Sequence, residues 1–229
     1  MNSNEKLINE IESMYDSAPG HVRAFIYTGG NIDVSMIHRH PSKDDITVAA
    51  DSGYGNAVRL GVKPDIAVGD FDSFSEKKIP SDVERITVPA EKDFTDTMLA
   101  VNTALEKGAR EVIIIGGLDG RLDHTLSNLA ILEKLFQRHV LSTIEDGKNR
   151  VRYIEATSTL VARSNYKYLS LIAADKKVKG VCIEGCKYPL DNAVLKKDHQ
   201  YAVSNEITGN VALVSVKKGG IYIVESTEK

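Results

Sequence analysis

Between residues 24 and 140 the chain alternates two kinds of apolar pattern. Short runs rich in β-branched residues occupy 24–27, 46–50, 66–68, 86–88 and 112–115 and read as strands. Between them the apolar positions spread to helical spacing. Phe94, Met98, Val101 and Leu105 recur at i, i+4, i+7 and i+11, which predicts a helix with one buried stripe, ending at Gly108. Leu126, Leu129, Leu132 and Phe136 predict the buried side of a second helix over 123–138. Strand–helix alternation of this kind builds a mostly parallel sheet covered by helices.

The texture changes over 141–150, where Ser, Thr, Asn and Asp-Gly cluster and read as a linker. Helical periodicity fades beyond it. Residues 166–174, 179–183, 211–216 and 221–224 read as strands, the last two joined as a hairpin across Lys217-Lys218-Gly219-Gly220. The expected architecture is an α/β domain over 21–142 and a smaller all-β sandwich or barrel over 150–229. Residues 1–20 form an N-terminal extension, expected as a loosely attached amphipathic helix carrying Leu7, Ile8, Ile11 and Met14.

With 229 residues, 42% of them hydrophobic, the chain has material for a substantial core. A net charge of −3 with dispersed basic residues argues against a nucleic-acid surface, so a phosphate-bearing ligand needs a local device. No apolar stretch approaches the roughly 20 residues that span a bilayer, and the first twenty residues carry no signal-peptide core. The expectation is a cytoplasmic protein with neither nucleic-acid nor membrane partners. Cys182 and Cys186 lack the second Cys/His pair of a zinc site and read as free thiols.

The candidate chemistry lies where the strands end. Residues 46–50 run into Asp51-Ser52-Gly53, residues 66–68 into Gly69-Asp70-Phe71-Asp72-Ser73, and residues 86–88 lead towards Asp93-Phe94-Thr95-Asp96. Residues 112–115 run into Gly116-Gly117-Leu118-Asp119-Gly120-Arg121-Leu122-Asp123. In an open parallel sheet such loops gather around one crevice. So many carboxylates would repel one another unless a cation sat among them. Mg²⁺ takes hard oxygen ligands, usually one or two carboxylates plus substrate phosphates, and an Asp-x-Asp turn supplies two from one loop.

Each motif has a plainer reading beside this one. Asp70 and Asp72 can bond local amides in a solvated turn. Either Asp93 or Asp96 can cap the first helix, with Asp93 the expected cap and Asp96 left to face the crevice. The glycines at 116, 117 and 120 let a backbone approach phosphate, and Arg121 can clamp its oxygens. The alternative there is a connecting loop with a capping Asp123 and a surface arginine. Neither G-x-G-x-x-G nor G-x-x-x-x-G-K-[ST] occurs, which removes dinucleotide and P-loop readings. Tyr188 can stack on a flat heterocycle and Ser204-Asn205 can read its edge, or they are a packing residue and a turn.

Taken in order, these segments resemble the thiamine pyrophosphokinase family. The matching stretches are Asp51-Ser52-Gly53, 64–73 (PDIAVGDFDS), 93–96 (DFTD), 120–128 (GRLDHTLSN) and, more weakly, 185–190 (GCKYPL) and 204–206 (SNE). The resemblance implies an enzyme that moves the diphosphate of ATP to the hydroxyl of thiamine, leaving AMP. It implies an α/β catalytic domain, a thiamine-binding β domain and a homodimer. It implies Asp70, Asp72 and Asp96 on Mg²⁺, and Gly30, Asp51, Gly120 and Arg121 on the nucleotide. Asp72, Asp96, Arg121 and Asp123 would be catalytic, and Tyr188, Ser204 and Asn205 would contact thiamine. Either Asp72 or Asp123 would accept the proton. Ser52 and Lys92 depart from the family's usual Gly and Gln. The rival readings are a non-catalytic Mg-nucleotide sensor and a diphosphokinase for another hydroxylated heterocycle, such as a pterin.

Overall fold

The computed structural model describes residues 22–70, 79–88 and 94–228. It divides into two compact units, one spanning Val22–Gly147 and the other containing Lys148–Lys229. The expected N-terminal helix, with Leu7, Ile8, Ile11 and Met14, lies outside the described residues.

The α/β unit carries strands β1 (Arg23–Tyr27), β2 (Ile46–Ala50), β3 (Ile66–Gly69), β4 (Glu84–Thr87), β5 (Glu111–Ile115) and β6 (Leu141–Glu145). They lie in the order β4-β3-β2-β1-β5-β6, every neighbouring pair parallel. Strands β1 and β5 bury four consecutive residues each, Ala24–Tyr27 and Val112–Ile115, as a sheet covered on both faces requires. Between them falls the switch point: the chain runs outward from β1 through β4, then returns to the other side of β1 as β5.

Three helices accompany the sheet: α1 (Gly53–Arg59), α2 (Asp96–Glu106) and α3 (Leu122–Gln137). The buried faces of α2 and α3 keep Val101 and Leu132 from the expected stripes and are otherwise turned from them. Helix α2 buries Thr97, Ala100, Val101 and Ala104, while Phe94 precedes the helix and is half exposed. The small Ala and Thr side chains let α2 lie close on β1–β3, leaving the longer Met98 and Leu105 at its flanks. Helix α3 buries Asn128, Ile131, Leu132 and Leu135, while Leu126 is exposed. The cap of α2 is Thr95, whose Oγ1 accepts the Met98 N–H at 3.2 Å, in place of the expected Asp93, which is itself outside the described residues.

Residues 141–145, expected as linker, are strand β6. Its polar Thr143 and Glu145 are buried with Ile144, and pairing with β5 outweighs their weak local strand signal. The break falls instead at Asp146-Gly147, where Gly147 takes φ +91°.

The β unit comprises β7 (Asn149–Glu155), β8 (Ser158–Ala162), β9 (Tyr168–Ala173), β10 (Lys177–Glu184), β11 (Leu190–Lys196), β12 (Val211–Ser215) and β13 (Gly220–Ser226). Strand β13 pairs antiparallel with β7 on one side and β9 on the other. A four-stranded sheet runs β11-β10-β12-β8. Alternate residues along β9, β12 and β13 are buried, the pattern of strands with one face in a core.

The hairpin expected across Lys217-Lys218-Gly219-Gly220 does not form, because β12 and β13 belong to different sheets. The Gly220 N–H bonds the Asp175 carboxylate at 2.9 Å, and a Cβ there would stand 1.9 Å from the Tyr153 hydroxyl. That close approach carries the chain from one sheet to the other. Strands β7, β8 and β11 have no counterpart in the expected set. Within β7, Arg150 forks onto Glu225 of β13 at 2.9 and 2.6 Å, joined by Arg152 at 3.4 Å. Burial alone would push the Glu225 carboxyl up, but the two guanidinium charges hold it below its ordinary value. Both cysteines are free thiols, and burial pushes that of Cys186 up.

Candidate active site

The loops that leave β1, β2 and β5 and the end of β3 meet through a chain of close contacts at the carboxyl end of the sheet. Thr28, immediately after β1, is buried, and its hydroxyl lies 3.3 Å from the carbonyls of both Gly29 and Ile115. The Gly117 N–H donates to the Gly29 carbonyl at 3.2 Å, tying the β5 loop to the β1 loop. A Cβ on Gly117 would stand 2.5 Å from the Asn128 side chain, and one on Gly30 would stand 3.0 Å from the Asp119 carbonyl. Glycine is needed twice over at both, since their φ values are +77° and +91°. At the outer lip, the Asn31 amide donates to the Asp119 carboxylate at 2.7 Å.

The β2 and β3 loops join the same seam. A Cβ on Gly29 would lie 2.5 Å from the Ser52 hydroxyl, and one on Gly69 would lie 3.2 Å from Asp51. Asp51 takes φ +45°, a left-handed turn that Asp tolerates better than most residues. Its N–H donates to the Val68 carbonyl at 2.8 Å, so the Asp51 turn stays in register with the strand that leads to Asp70.

Two buried asparagines hold this seam from the helices, and sequence reasoning missed them in that role. Asn56 of α1 donates to the Thr28 and Gly30 carbonyls at 2.8 and 2.9 Å, and Asn128 of α3 donates to the Gly117 carbonyl at 2.9 Å. Thr28 was missed as well. The available signal was an amide residue on the apolar face of a helix, since a buried amide implies a specific partner.

In the α/β unit the residues singled out from sequence fall into four groups. Gly30, Asp51 and Gly120 lie in loops of the seam, and no neighbour fills the space where a Gly120 Cβ would be. Asp70 follows β3 directly, and Asp96 is the first residue of α2. Asp72, Asp93 and Lys92 lie outside the described residues. Arg121 and Asp123 form a bidentate ion pair at 3.1 and 2.6 Å on the open surface at the start of α3. Arg121 itself is the N-cap of α3, and Asp123 sits in the first turn beside the helix dipole. The hydrogen bond from Arg121 holds the Asp123 carboxyl below the usual carboxylate range.

In the β unit, Tyr188, Ser204 and Asn205 come together in two stapled loops. Asn205 is 4% exposed, and its side chain accepts the Tyr188 N–H at 2.9 Å and donates to the Tyr188 carbonyl at 2.7 Å. Its oxygen also accepts the Glu206 N–H at 2.9 Å. The amide is thus committed to shaping the loop, and Tyr188 stands 59% exposed with the Lys187 ammonium 5.5 Å over its ring. Ser204 is exposed in a left-handed turn at φ +56°.

The donor chemistry suits Mg²⁺, since Asp51, Asp70 and Asp96 offer hard carboxylate oxygens at or near the carboxyl ends of strands. Among the described residues, no three His, Cys, Asp or Glu side chains converge tightly enough to hold an ion by themselves.

The chain has relatives across its length. The thiamin pyrophosphokinase catalytic domain matches residues 37–144, and the thiamin pyrophosphokinase vitamin B1 binding domain matches residues 157–221. The thiamine pyrophosphokinase of Bacillus subtilis is 30% identical over 186 residues, covering 79% of this chain and 87% of that protein. The crystal structure of Bacillus subtilis thiamine pyrophosphokinase superposes with a TM-score of 0.81 at 25% identity, covering 91% of this chain and all (100%) of that one. That of the Geobacillus thermodenitrificans thiamin pyrophosphokinase gives 0.79 at 27%, covering 91% and 98%. Fold and relatives together define a diphosphotransferase with an α/β unit and an appended β unit. More particularly, the chain belongs to the thiamine pyrophosphokinase family.

Proposed function

We propose that this protein transfers the diphosphate of ATP to the hydroxyl of thiamine, giving thiamine diphosphate and AMP, as a cytoplasmic homodimer. The observation that carries the reading is the glycine-lined seam at the switch point between β1 and β5, within a chain that matches both family domains. A crevice at a switch point is where open α/β sheets bind phosphate-bearing ligands. Gly30 and Gly120, whose lack of side chains lets backbone come close to phosphate, line the nucleotide's approach together with Asp51.

The thiamine hydroxyl must attack the β-phosphorus in line, so positioning and charge neutralisation carry most of the catalysis. Asp70, Asp72 and Asp96 would hold Mg²⁺, which when bound offsets the negative charge of the triphosphate. Arg121 turns from Asp123 towards the transferred group or the departing AMP. While paired, Asp123 is a weak base, and losing Arg121 to phosphate raises its basicity when a proton must be accepted. Asp72 is the other acceptor. Asn205 fixes the Tyr188 loop, and the exposed Tyr188 ring offers a stacking face for the thiamine pyrimidine while Ser204 reads its edge.

The test is AMP release from Mg-ATP with and without thiamine. Thiamine-dependent AMP formation is expected. ATP binding with no AMP would identify a sensor, and turnover with another hydroxylated heterocycle but not with thiamine would reassign the substrate.

A further inference from the structure

Across the β unit, away from the Tyr188 loop in sequence, the surface folds into a hollow of about 710 Å³ lined by Lys176, Lys177, Lys196 and Lys218. We propose that this hollow is a second binding site, for a small multivalent phosphate such as an inorganic tripolyphosphate. The ladder supports it. Lys177 stands directly opposite Lys196 in the β10–β11 pairing, and Lys218 bridges directly to Lys179. Like charges set opposite each other across antiparallel strands repel and destabilise the sheet. Two such pairs at one end of a unit leave a local excess of positive charge that a bound anion would offset.

The local carboxylates offset the positive charge only in part. Glu155, Asp175 and Asp198 stand in the lining against the four lysines, with Asp175 also accepting the Gly220 N–H at 2.9 Å and Glu155 the Tyr153 hydroxyl at 3.2 Å. Among the described residues, none of the four lysines forms an ion pair. Lys197 and Lys217 sit next to the lining lysines in the chain and raise the positive field further. A volume of this size suits a small molecule and not an extended polymer. Lysine ammoniums are mobile point charges that grip several phosphate oxygens without fixed fork geometry, so charge and not shape selects the ligand.

The experiment is calorimetric titration of the full-length protein with sodium tripolyphosphate in EDTA, so that no divalent ion contributes. Wild type is expected to bind, more weakly as salt rises. The triple variant Lys177→Gln/Lys196→Gln/Lys218→Gln should lose at least about tenfold in affinity. It should keep thiamine-dependent turnover and melt at a higher temperature than wild type without ligand, because its opposed charges are gone. The single variant Lys177→Gln should show the same two changes at smaller amplitude. Binding unchanged in the triple variant would overturn the proposal, as would binding lost instead in Arg121→Ala, which would place the anion in the crevice. A single-stranded oligonucleotide bound through the same lysines, with tripolyphosphate ignored, would also overturn it in favour of a nucleic-acid face.

Discussion

Around the carboxyl ends of β1, β2, β3 and β5, the α/β unit packs backbone against glycines at 29, 53, 116 and 117, where a Cβ would collide, and pins it with the Asn56 and Asn128 amides. The β unit holds its equivalent positions with long polar side chains: Glu225 between Arg150 and Arg152, and Asn205 across the Tyr188 loop. The first arrangement leaves no room for a Cβ at those glycines and is pinned by neutral amides. The second shares the close approach at Gly220 but adds a buried charge cluster to its satisfied amides. Close backbone contact specifies the first region, and charge pairing is what the second adds.

The sharpest way to break this comparison is to add one methyl group to the seam. In Gly53→Ala the new Cβ would stand 2.1 Å from the Tyr27 carbonyl oxygen and 2.7 Å from the Thr28 Cα, and neither backbone atom can move cheaply. A loss of about 3 kcal/mol or more is expected by urea denaturation. A loss under about 1 kcal/mol would show that the seam has slack. Next comes Asp70→Asn, which alters charge and not volume. It should lower kcat/KM by ~100-fold with the melting temperature unchanged, and near-wild-type turnover would remove Asp70 from the phosphate site.

For the β unit, Glu225→Gln should cost about 2 kcal/mol. That is less than a fully buried pair would lose, because Arg150 and Arg152 are partly exposed and can rehydrate. The same carboxyl gives a pH signature. Its folded value lies below the ordinary 4.5, so its stabilisation is complete above about pH 4.5 and is lost as pH falls through the folded value. Acid melts of wild type should show that loss, and the Gln variant should lack this component. The smallest effect belongs to Asn205→Ala, which leaves the Tyr188 loop unpinned. Stability should fall by about 1 kcal/mol, with the thiamine KM raised about fivefold and kcat held. A change in kcat alone would instead place Asn205 at the reacting atoms.

Local patterns were enough for the strands of the α/β unit other than β6, because runs such as β1 and β5 are continuously apolar and bounded by turns. The acidic and glycine-rich segments at their ends were readable for the same reason, since turn chemistry and charge are properties of neighbouring residues. So were Tyr188, Ser204 and Asn205 as a group, and the division of the chain into an α/β part and a β part.

What stayed hidden needed partners far along the chain. Strand β7, Asn-Arg-Val-Arg-Tyr-Ile-Glu, looks too charged for a core until Glu225, 75 residues from Arg150, neutralises it. The face of α2 was misread in part because small residues set how closely that helix lies on the sheet, and that of α3 because Asn128 turns inward with Ile131 and Leu135. Strands β12 and β13 imitate a hairpin until Tyr153 and Asp175 pull Gly220 into another sheet. Thr28, Asn56 and Asn128 acquire meaning only when β1, β5 and two helices are side by side. Chain neighbours set backbone preference and charge, whereas strand partnership, buried face and hydrogen-bond destination are fixed by groups that folding alone brings within reach.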